Sequence, residues 1–497
     1  MKRTALDGWL VALTLAGSLQ AYADKAVSLP RSTPEAEGIS SSAILGFVEE
    51  ADQSLQSMHS FMMVRHGHVV AEGWWTPYDA STRHELYSLS KSFTSTAVGF
   101  AVSEGKLSVD DEVLKFFPGE APAQPSANLK SMRVADLLRM QAGHEREIPI
   151  SADGMTTSAF LAHPVPFKPG TRFLYNTPAT FMASAIVQKV SGQTVREYLQ
   201  PRLFEPLGIV DPTWDKNSQG ISLGGYGLSV RTEDIAKFGQ FYLQKGRWQG
   251  KQLLPASWVE AATARQTSNG SNPRSDWDQG YGYQFWRCQH NAFRGDGAFG
   301  QYCLVMPDQD AVIAITSGLK DMQAVLNLVW DRLLPAMKPN RLPKDQAAEQ
   351  HLRQALQCLT LPTVKGAASA PANAGVIGKR YAIASNEQGL EALTITRSDA
   401  GGTTLTLRFQ GQDRVIQCGS GSWVKGRVKF GIFPDRHVAS SAAWPARDTL
   451  VAKLCFPETP YTFTLKMTFA GNDVEILPET NVAIFPMHLA KWTGRGE

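Results

Sequence analysis

The segment "SFTSTAVGFAV" at residues 92–102 places Phe93, Ala97 and Ala101 at helical spacing with Val98 and Val102 beside them, which predicts a helix with one buried face. Ahead of it, "SFMMVRHGHVVAEGWW" carries two β-rich runs on either side of Gly67, the pattern of a hairpin. Mixed helical and loop sequence, punctuated by Pro and Gly, continues to about residue 275. Strand signals return in "GYGYQFWRC", "QYCLVMP" and "AVIAITSG", followed by a helical pattern in "MQAVLNLVWDRLLPAM". Strands early, helices in the middle, and strands with a helix at the end predict an α/β (α+β) unit at residues 30–340 whose sheet is built from both ends of the segment.

The stretch "DQAAEQHLRQALQCL" and the small-residue run "TVKGAASAPANAG" read as a helix and a linker over residues 341–375. From there "LEALTITR", "TTLTLRF", "RVIQC", "TLVAKLCF" and "YTFTLKMTF" are short alternating runs separated by turns, which predict an all-β domain, sandwich or barrel, at residues 376–497. No nucleophile motif there has a helical setting. That region therefore reads as an appendage that stabilises the first unit or covers its substrate.

At 497 residues the chain has room for two to three domains with ample core. Its 49 basic and 46 acidic residues leave a formal charge of +3, too small and too dispersed to call for a polyanion, so nucleic acid is set aside as a partner. The first residues read as a signal peptide, 1–23: Lys2 and Arg3, an apolar core from Trp9 to Leu19, and Ala21-Tyr22-Ala23 as a cleavage site. The apolar run is shorter than the roughly 20 residues needed to span a bilayer, so export to the periplasm or outside is expected, with the mature chain starting near Asp24 and no membrane span left. Five cysteines have no metal-like spacing; Cys288 and Cys303 flank a turn-rich segment, where they could pair across neighbouring strands or be small buried apolar side chains.

A serine three residues ahead of a lysine occurs at Ser88, Ser103, Ser317 and Ser422. Chemistry asks for such a serine at the start of a helix, where the lysine lies one turn further along the same face and its amine reaches the hydroxyl. Only Ser88, with Lys91, is followed at once by a long apolar-periodic segment. Ser103 sits in a polar exit from that helix, Ser317 at a strand-to-loop transition, and Ser422 in Gly-rich "GSGSWVKG". A lysine ammonium, with a reference pKa of about 10.4, accepts no proton at neutral pH unless burial or a neighbouring cation depresses it. From the residues alone, a capping serine beside a solvated lysine stays open as the alternative.

The stretch "LYSLSKSFTSTAVGFAVSEGKLSVDDEV" resembles the nucleophile helix of the serine β-lactamase and penicillin-binding-protein superfamily, in the branch of class C β-lactamases, esterases and 6-aminohexanoate-oligomer hydrolases. "VADLLRMQAGH", "FKPGTRFLYNTPATFMASAIVQKVSG", "GGYGLSVRTEDIAKFGQFYLQKG" and "GDGAFGQYCLVMPDQDAVIAITSG" follow in the same order, so the likeness spans roughly residues 30 to 335. The resemblance implies a β-lactamase-like antiparallel sheet flanked by helices with a helical subdomain. It implies Ser88 as nucleophile, Lys91 and Tyr175 as proton-transfer groups, and no metal or organic cofactor. The family's Tyr-x-Asn motif is matched by Tyr175-Asn176-Thr177, with Thr177 where the asparagine would stand and the amide one place early at Asn176. The third motif, Lys-Thr-Gly or a histidine version, has no counterpart; its place is taken by Asp296-Gly297-Ala298, with Phe299 supplying the N–H that joins that of Ser88 as oxyanion hole.

An aspartate in that place repels an anionic substrate group unless Arg294 neutralises it, so a neutral or amine-bearing ester or amide is the expected small-molecule substrate. D-aminopeptidase, DD-peptidase or weak β-lactamase activity is the first alternative. A non-catalytic sensor or binding module that keeps the fold is the second, and no feature fixes the oligomeric state. His66-Gly67-His68 reads as a polar hairpin tip rather than a metal site, and His144 as a loop histidine that could line the cleft. Trp74, Trp75 and Tyr78 read as core or rim, and Asp110 with Asp111 as loop ordering.

Overall fold

The computed structural model describes residues 28–150, 155–369, 375–398, 402–431, 433–484 and 490–497. The expected leader, 1–23, and part of the expected linker lie outside the described residues. The hairpin forms as expected, with strands β1 (Met58–Arg65) and β2 (His68–Trp74) joined at His66-Gly67, both in the left-handed region. Four later strands complete the sheet: β3 (Trp286–Arg287), β4 (Phe293–Gly297), β5 (Gln301–Met306) and β6 (Ala311–Ser317). The order is β2-β1-β6-β5-β4-β3, antiparallel throughout, so the β1–β6 pairing sews the two ends of the segment together.

Both faces of this sheet are covered, and the two-residue period of a strand sorts its side chains between two cores. Met62, Val64, Cys303, Val305, Val312 and Ala314 enter one core; Phe61, Met63, Leu304, Met306, Ile313 and Ile315 enter the other. This alternation rules out a Cys288–Cys303 bridge and leaves the two as small buried side chains. Cys303 faces the first core and Cys288 the second, and all five cysteines are free thiols. The second core is closed by helix α1 (Ser41–Ser54) and the Met322–Leu328 helix.

The first core holds helix α2 (Ser90–Ser103), α3 (Thr177–Ser191) and α4 (Thr232–Leu243). Contrary to the single buried face expected for α2, every residue from Ser90 to Ala101 is buried. Several hydroxyls on its other sides find partners, though Ser95 Oγ has none among the described residues: Ser92 Oγ donates to the Gln284 carbonyl at 2.8 Å and Thr94 Oγ1 to the Gly224 carbonyl at 2.9 Å. At Gly99 a Cβ would lie 2.4 Å from the Trp258 indole, so only glycine lets that ring close over the helix. Phe93 stacks on Phe238 of α4 at 3.8 Å. Among the described residues no helix is long and apolar enough to cross a membrane.

Helix α5 (Gln346–Gln357) returns to the first unit, with Leu356 against the backbone of Gly73. The strands after it form one antiparallel ten-stranded sheet that runs from Gln412–Cys418 at one edge to Val424–Phe430 at the other. Residues alternate buried and half-exposed, as along Thr403–Phe409, and the buried set makes an aromatic-rich core. Next to one edge, Gly419 bonds Ser440 and Ala442 of the long strand beside the other edge, so the sheet curls into a near-barrel. Phe93→Ala removes the ring at the centre of the first core and is expected to lower unfolding stability by about 3–5 kcal/mol, read by urea denaturation followed by circular dichroism.

Candidate active site

The chain enters α2 through a tight turn, Tyr87–Leu89, with Tyr87 in the left-handed region at φ 47°. That turn and the first turn of α2 bring Lys91 Nζ to 2.9 Å from Ser88 Oγ. Lys91 is 1% exposed. Its amine also donates to the Gly225 carbonyl at 2.8 Å and lies 3.4 Å from Thr177 Oγ1. All three partners are uncharged. Gly225 belongs to the run Gly224-Gly225-Tyr226-Gly227, and a Cβ there would sit 2.6 Å from the Thr177 methyl, so glycine is what admits the carbonyl to this spot.

Burial pulls the Lys91 amine down to about 7, against the opposing pull of Glu147 and Asp296. Near neutrality the amine is therefore neutral in a large fraction of molecules. Two of its N–H bonds point at Gly225 and Thr177, and the lone pair is left for the Ser88 hydroxyl. The sign for stability follows: between about pH 7 and about pH 10 the unfolded chain holds a proton that the folded one has lost, so the Lys91 contribution to stability rises with pH across that window.

Tyr175 is wedged between aromatic rings, stacked on Trp286 at 5.4 Å and edge-on to Tyr281 at 6.3 Å. Its phenol is close enough to the Ser88 hydroxyl to feel it, and the Lys91 amine stands 5.0 Å from its ring centroid. Burial, then Asp296, pushes the Tyr175 phenol above its ordinary value, so it stays protonated. Asn176 turns elsewhere: its Nδ2 donates to His144 Nδ1 at 3.2 Å in a buried setting, while Thr177 is the member of the pair that meets Lys91. The Thr177 N–H at the start of α3 donates to Glu147 Oε1 at 2.9 Å.

Strand β4 lies flush against the nucleophile turn. A Cβ on Gly297 would be 2.0 Å from the Leu86 carbonyl oxygen and 3.1 Å from Ser88 N, and one on Gly295 would strike Leu89 and Ser92. Asp296 is ion-paired with Arg294 at 2.8 Å, and Arg294 is fully buried between Trp277 and Trp286 at 4.4 and 5.4 Å. The pair is close to neutral as a unit, which removes most of the repulsion that Asp296 alone would exert on an anionic substrate. Ala298 and Phe299 are half-buried at the turn into β5, with Phe299 left-handed at φ 69°.

The sequence reading therefore has Ser88, Lys91, Tyr175 and Thr177 in one constellation with Gly297 against it, whereas Asn176 faces His144. It missed Gly225, Glu147 and Trp286. The glycine run around Gly225 was a visible signal of close backbone approach; Glu147 and Trp286 carried none, because their roles come from loops that meet only in the fold. His66 and His68 lie 3.2 and 3.8 Å from Glu37, and Asp110 and Asp111 pair with Arg133 and Lys115 at the surface.

A family model described as Beta-lactamase matches residues 50–331. The chain is 26% identical over 286 residues to a 6-aminohexanoate-dimer hydrolase of Paenarthrobacter ureafaciens, covering 53% of this chain and 73% of that one. It is 25% identical over 252 residues to a candidate D-alanyl-D-alanine carboxypeptidase of Escherichia coli (strain K12), covering 44% of this chain and 57%, little more than half, of the relative's length. Among solved structures, a candidate 6-aminohexanoate-dimer hydrolase from Bacillus anthracis superposes with a TM-score of 0.54 at 20% identity, over 65% of this chain and 90% of that one. A candidate beta-lactamase from Bacteroides dorei DSM 17855 does so with a TM-score of 0.50 at 18% identity, over 59% and 98%. Both likenesses are of fold. Asp296→Ala leaves Arg294 buried without its partner and is expected to lower stability by about 3–5 kcal/mol in a urea titration.

Proposed function

Because the chain belongs to the Beta-lactamase family, whose fold here carries a serine hydrolase, we propose that it cleaves an ester or amide through an acyl-enzyme on Ser88. The observation that carries this reading is the fully buried Lys91 amine, 2.9 Å from the Ser88 hydroxyl and depressed to about 7. Ser88 Oγ attacks the carbonyl carbon as its proton passes to the Lys91 lone pair. The N–H groups of Ser88 and Phe299 take the developing oxyanion, each supplying roughly 3 to 4 kcal/mol of barrier lowering. Lys91 is the base and Tyr175 the proton carrier. The raised pKa of the phenol supports this division, since a protonated hydroxyl beside Ser88 can hand its proton to the leaving group and refill from the lysine. Water releases the acyl group by the same path in reverse.

An amide is the favoured scissile bond, since the relatives named above are amide hydrolases by name. The Arg294–Asp296 pair keeps anionic substrates admissible, which supports DD-peptidase or weak β-lactamase action as the second reading. Export completes the proposal: intact mass of the secreted protein should place its first residue near Asp24. The class C-like branch and the unit boundaries near 340 and 376 are part of the same proposal, with Thr177 rather than the buried Asn176 facing the substrate.

With p-nitrophenyl esters of increasing chain length, the wild-type protein is expected to show a burst and turnover, and Ser88→Ala to lose at least about 1,000-fold in kcat. A fluorophosphonate adduct located by peptide mass should fall on Ser88. Absence of both adduct and turnover on every ester and amide tried would leave the binding-module reading instead. D-alanine release from a D-alanyl-D-alanine peptide, or ampicillin hydrolysis, selects the second reading. Because the base must be unprotonated, log kcat/KM should fall with a slope near one below about pH 7, and Lys91→Met should abolish that limb together with most of the activity.

A further inference from the structure

Each of the two amides assigned to the oxyanion adjoins a bulky residue in the left-handed region. Tyr87, at φ 47°, precedes the peptide whose N–H belongs to Ser88, and Phe299, at φ 69°, supplies its own. Aromatic residues keep such a conformation only where their surroundings over-determine it. Here part of the surroundings is the C-terminal sheet. The Tyr87 and Phe299 rings meet edge to face at 5.6 Å, and both pack into the core of that sheet rather than into either core of the first unit.

Tyr461 touches both. It ends the turn between the strands Thr449–Cys455 and Thr462–Ala470, is 6% exposed, and stands edge-on to Phe299 at 5.9 Å. Its ring shares the core with that of Tyr87, and the two phenols act on one another there. Phe433 backs its ring at 5.4 Å. The same turn grips the neighbouring backbone, where Glu85 N–H donates to the Glu458 carbonyl at 2.9 Å and the Tyr78 hydroxyl to the Thr459 carbonyl at 3.0 Å. The other side of the Ala298-Phe299 turn is fixed by the first sheet, through Gln301 Nε2 to the Ala298 carbonyl at 2.9 Å and Ser317 Oγ to the Phe299 carbonyl at 2.8 Å. Those bonds hold carbonyls. The rings are held from the C-terminal sheet.

We propose that the C-terminal sheet is a working part of the active site, with Tyr461 as a positioning residue that clamps Tyr87 and Phe299 and so aims the Ser88 and Phe299 N–H groups at one oxygen. This rests on the acyl-enzyme reading of Ser88. It gives the appendage a defined task at the site, beyond adding stability or covering the substrate.

The test uses the full chain, a p-nitrophenyl ester and the matching thionoester, whose sulfur is a weak acceptor and gains little from aimed donors. Tyr461→Ala is expected to lower kcat on the ester roughly 100-fold with KM within about threefold, and to collapse the ester-to-thionoester rate ratio. Tyr461→Phe keeps the ring and should recover most of the lost kcat. Phe430→Leu, which loosens the same core where Phe430 meets Phe409 and Phe463, should lower the melting temperature and leave the ratio at the wild-type value. A folded Tyr461→Ala with wild-type kcat and ratio overturns the proposal, as does an equal collapse in Phe430→Leu. If Tyr461→Ala does not fold, Tyr461→Leu keeps the apolar volume, and a wild-type ratio there overturns the proposal in the same way. A wild-type protein that forms no Ser88 adduct with a fluorophosphonate sinks the hydrolase reading; an adduct with unchanged variants sinks only the clamp.

Discussion

A lysine amine sealed from water beside a serine hydroxyl is the constraint around which the first half of the chain is organised. An ammonium in such a place, with only carbonyl and hydroxyl oxygens to meet it, is strongly disfavoured, and the protein's response is to let the amine go neutral. That response needs dry surroundings on every side of the first turn of α2. It explains why the helix is buried all round instead of along one stripe, and why the Ser92 and Thr94 hydroxyls are spent on carbonyls of the chain. It also explains the glycines at 225, 295 and 297, each at a point where backbone must come closer than a side chain would permit.

Two carboxylates act on this dry centre, Glu147 and Asp296. Asp296 is close enough to raise the amine's affinity for a proton, yet it is tied to Arg294, so the field at Lys91 is that of a pair and not of a bare carboxylate. Glu147 exerts the larger pull, from an exposed loop, while holding the first N–H of α3. The net result separates two neighbouring groups that both touch Ser88. The amine falls toward neutrality and the phenol rises away from it, the arrangement expected where one group takes a proton and the other carries it.

The two sheets of the molecule solve different problems. The first is covered on both faces, so its strands read as nearly continuous apolar runs, and its alternation decides which core each side chain enters. The second has one buried face, so its strands alternate cleanly in the sequence. Their meeting point falls beside Ser88, where Tyr87 leaves the first unit and joins the core of the second.

Local sequence was sufficient for whatever depends on local geometry. The period of the apolar residues marked α2, the hairpin at Gly67 and the short strands of the C-terminal sheet, and the helical setting separated Ser88 from Ser103, Ser317 and Ser422, because a lysine one turn along a helix is placed by the helix itself. Thr177 at Lys91, the turning of Asn176 toward His144, the neutralisation of Asp296 and the part taken by Gly225, Glu147 and Tyr461 were decided only by tertiary structure. So was the separation of Cys288 from Cys303, since closeness along the chain says nothing about which face of a sheet each thiol occupies. These features join segments tens to hundreds of residues apart, and their energies come from burial and from charge, neither of which exists until the chain has closed around them.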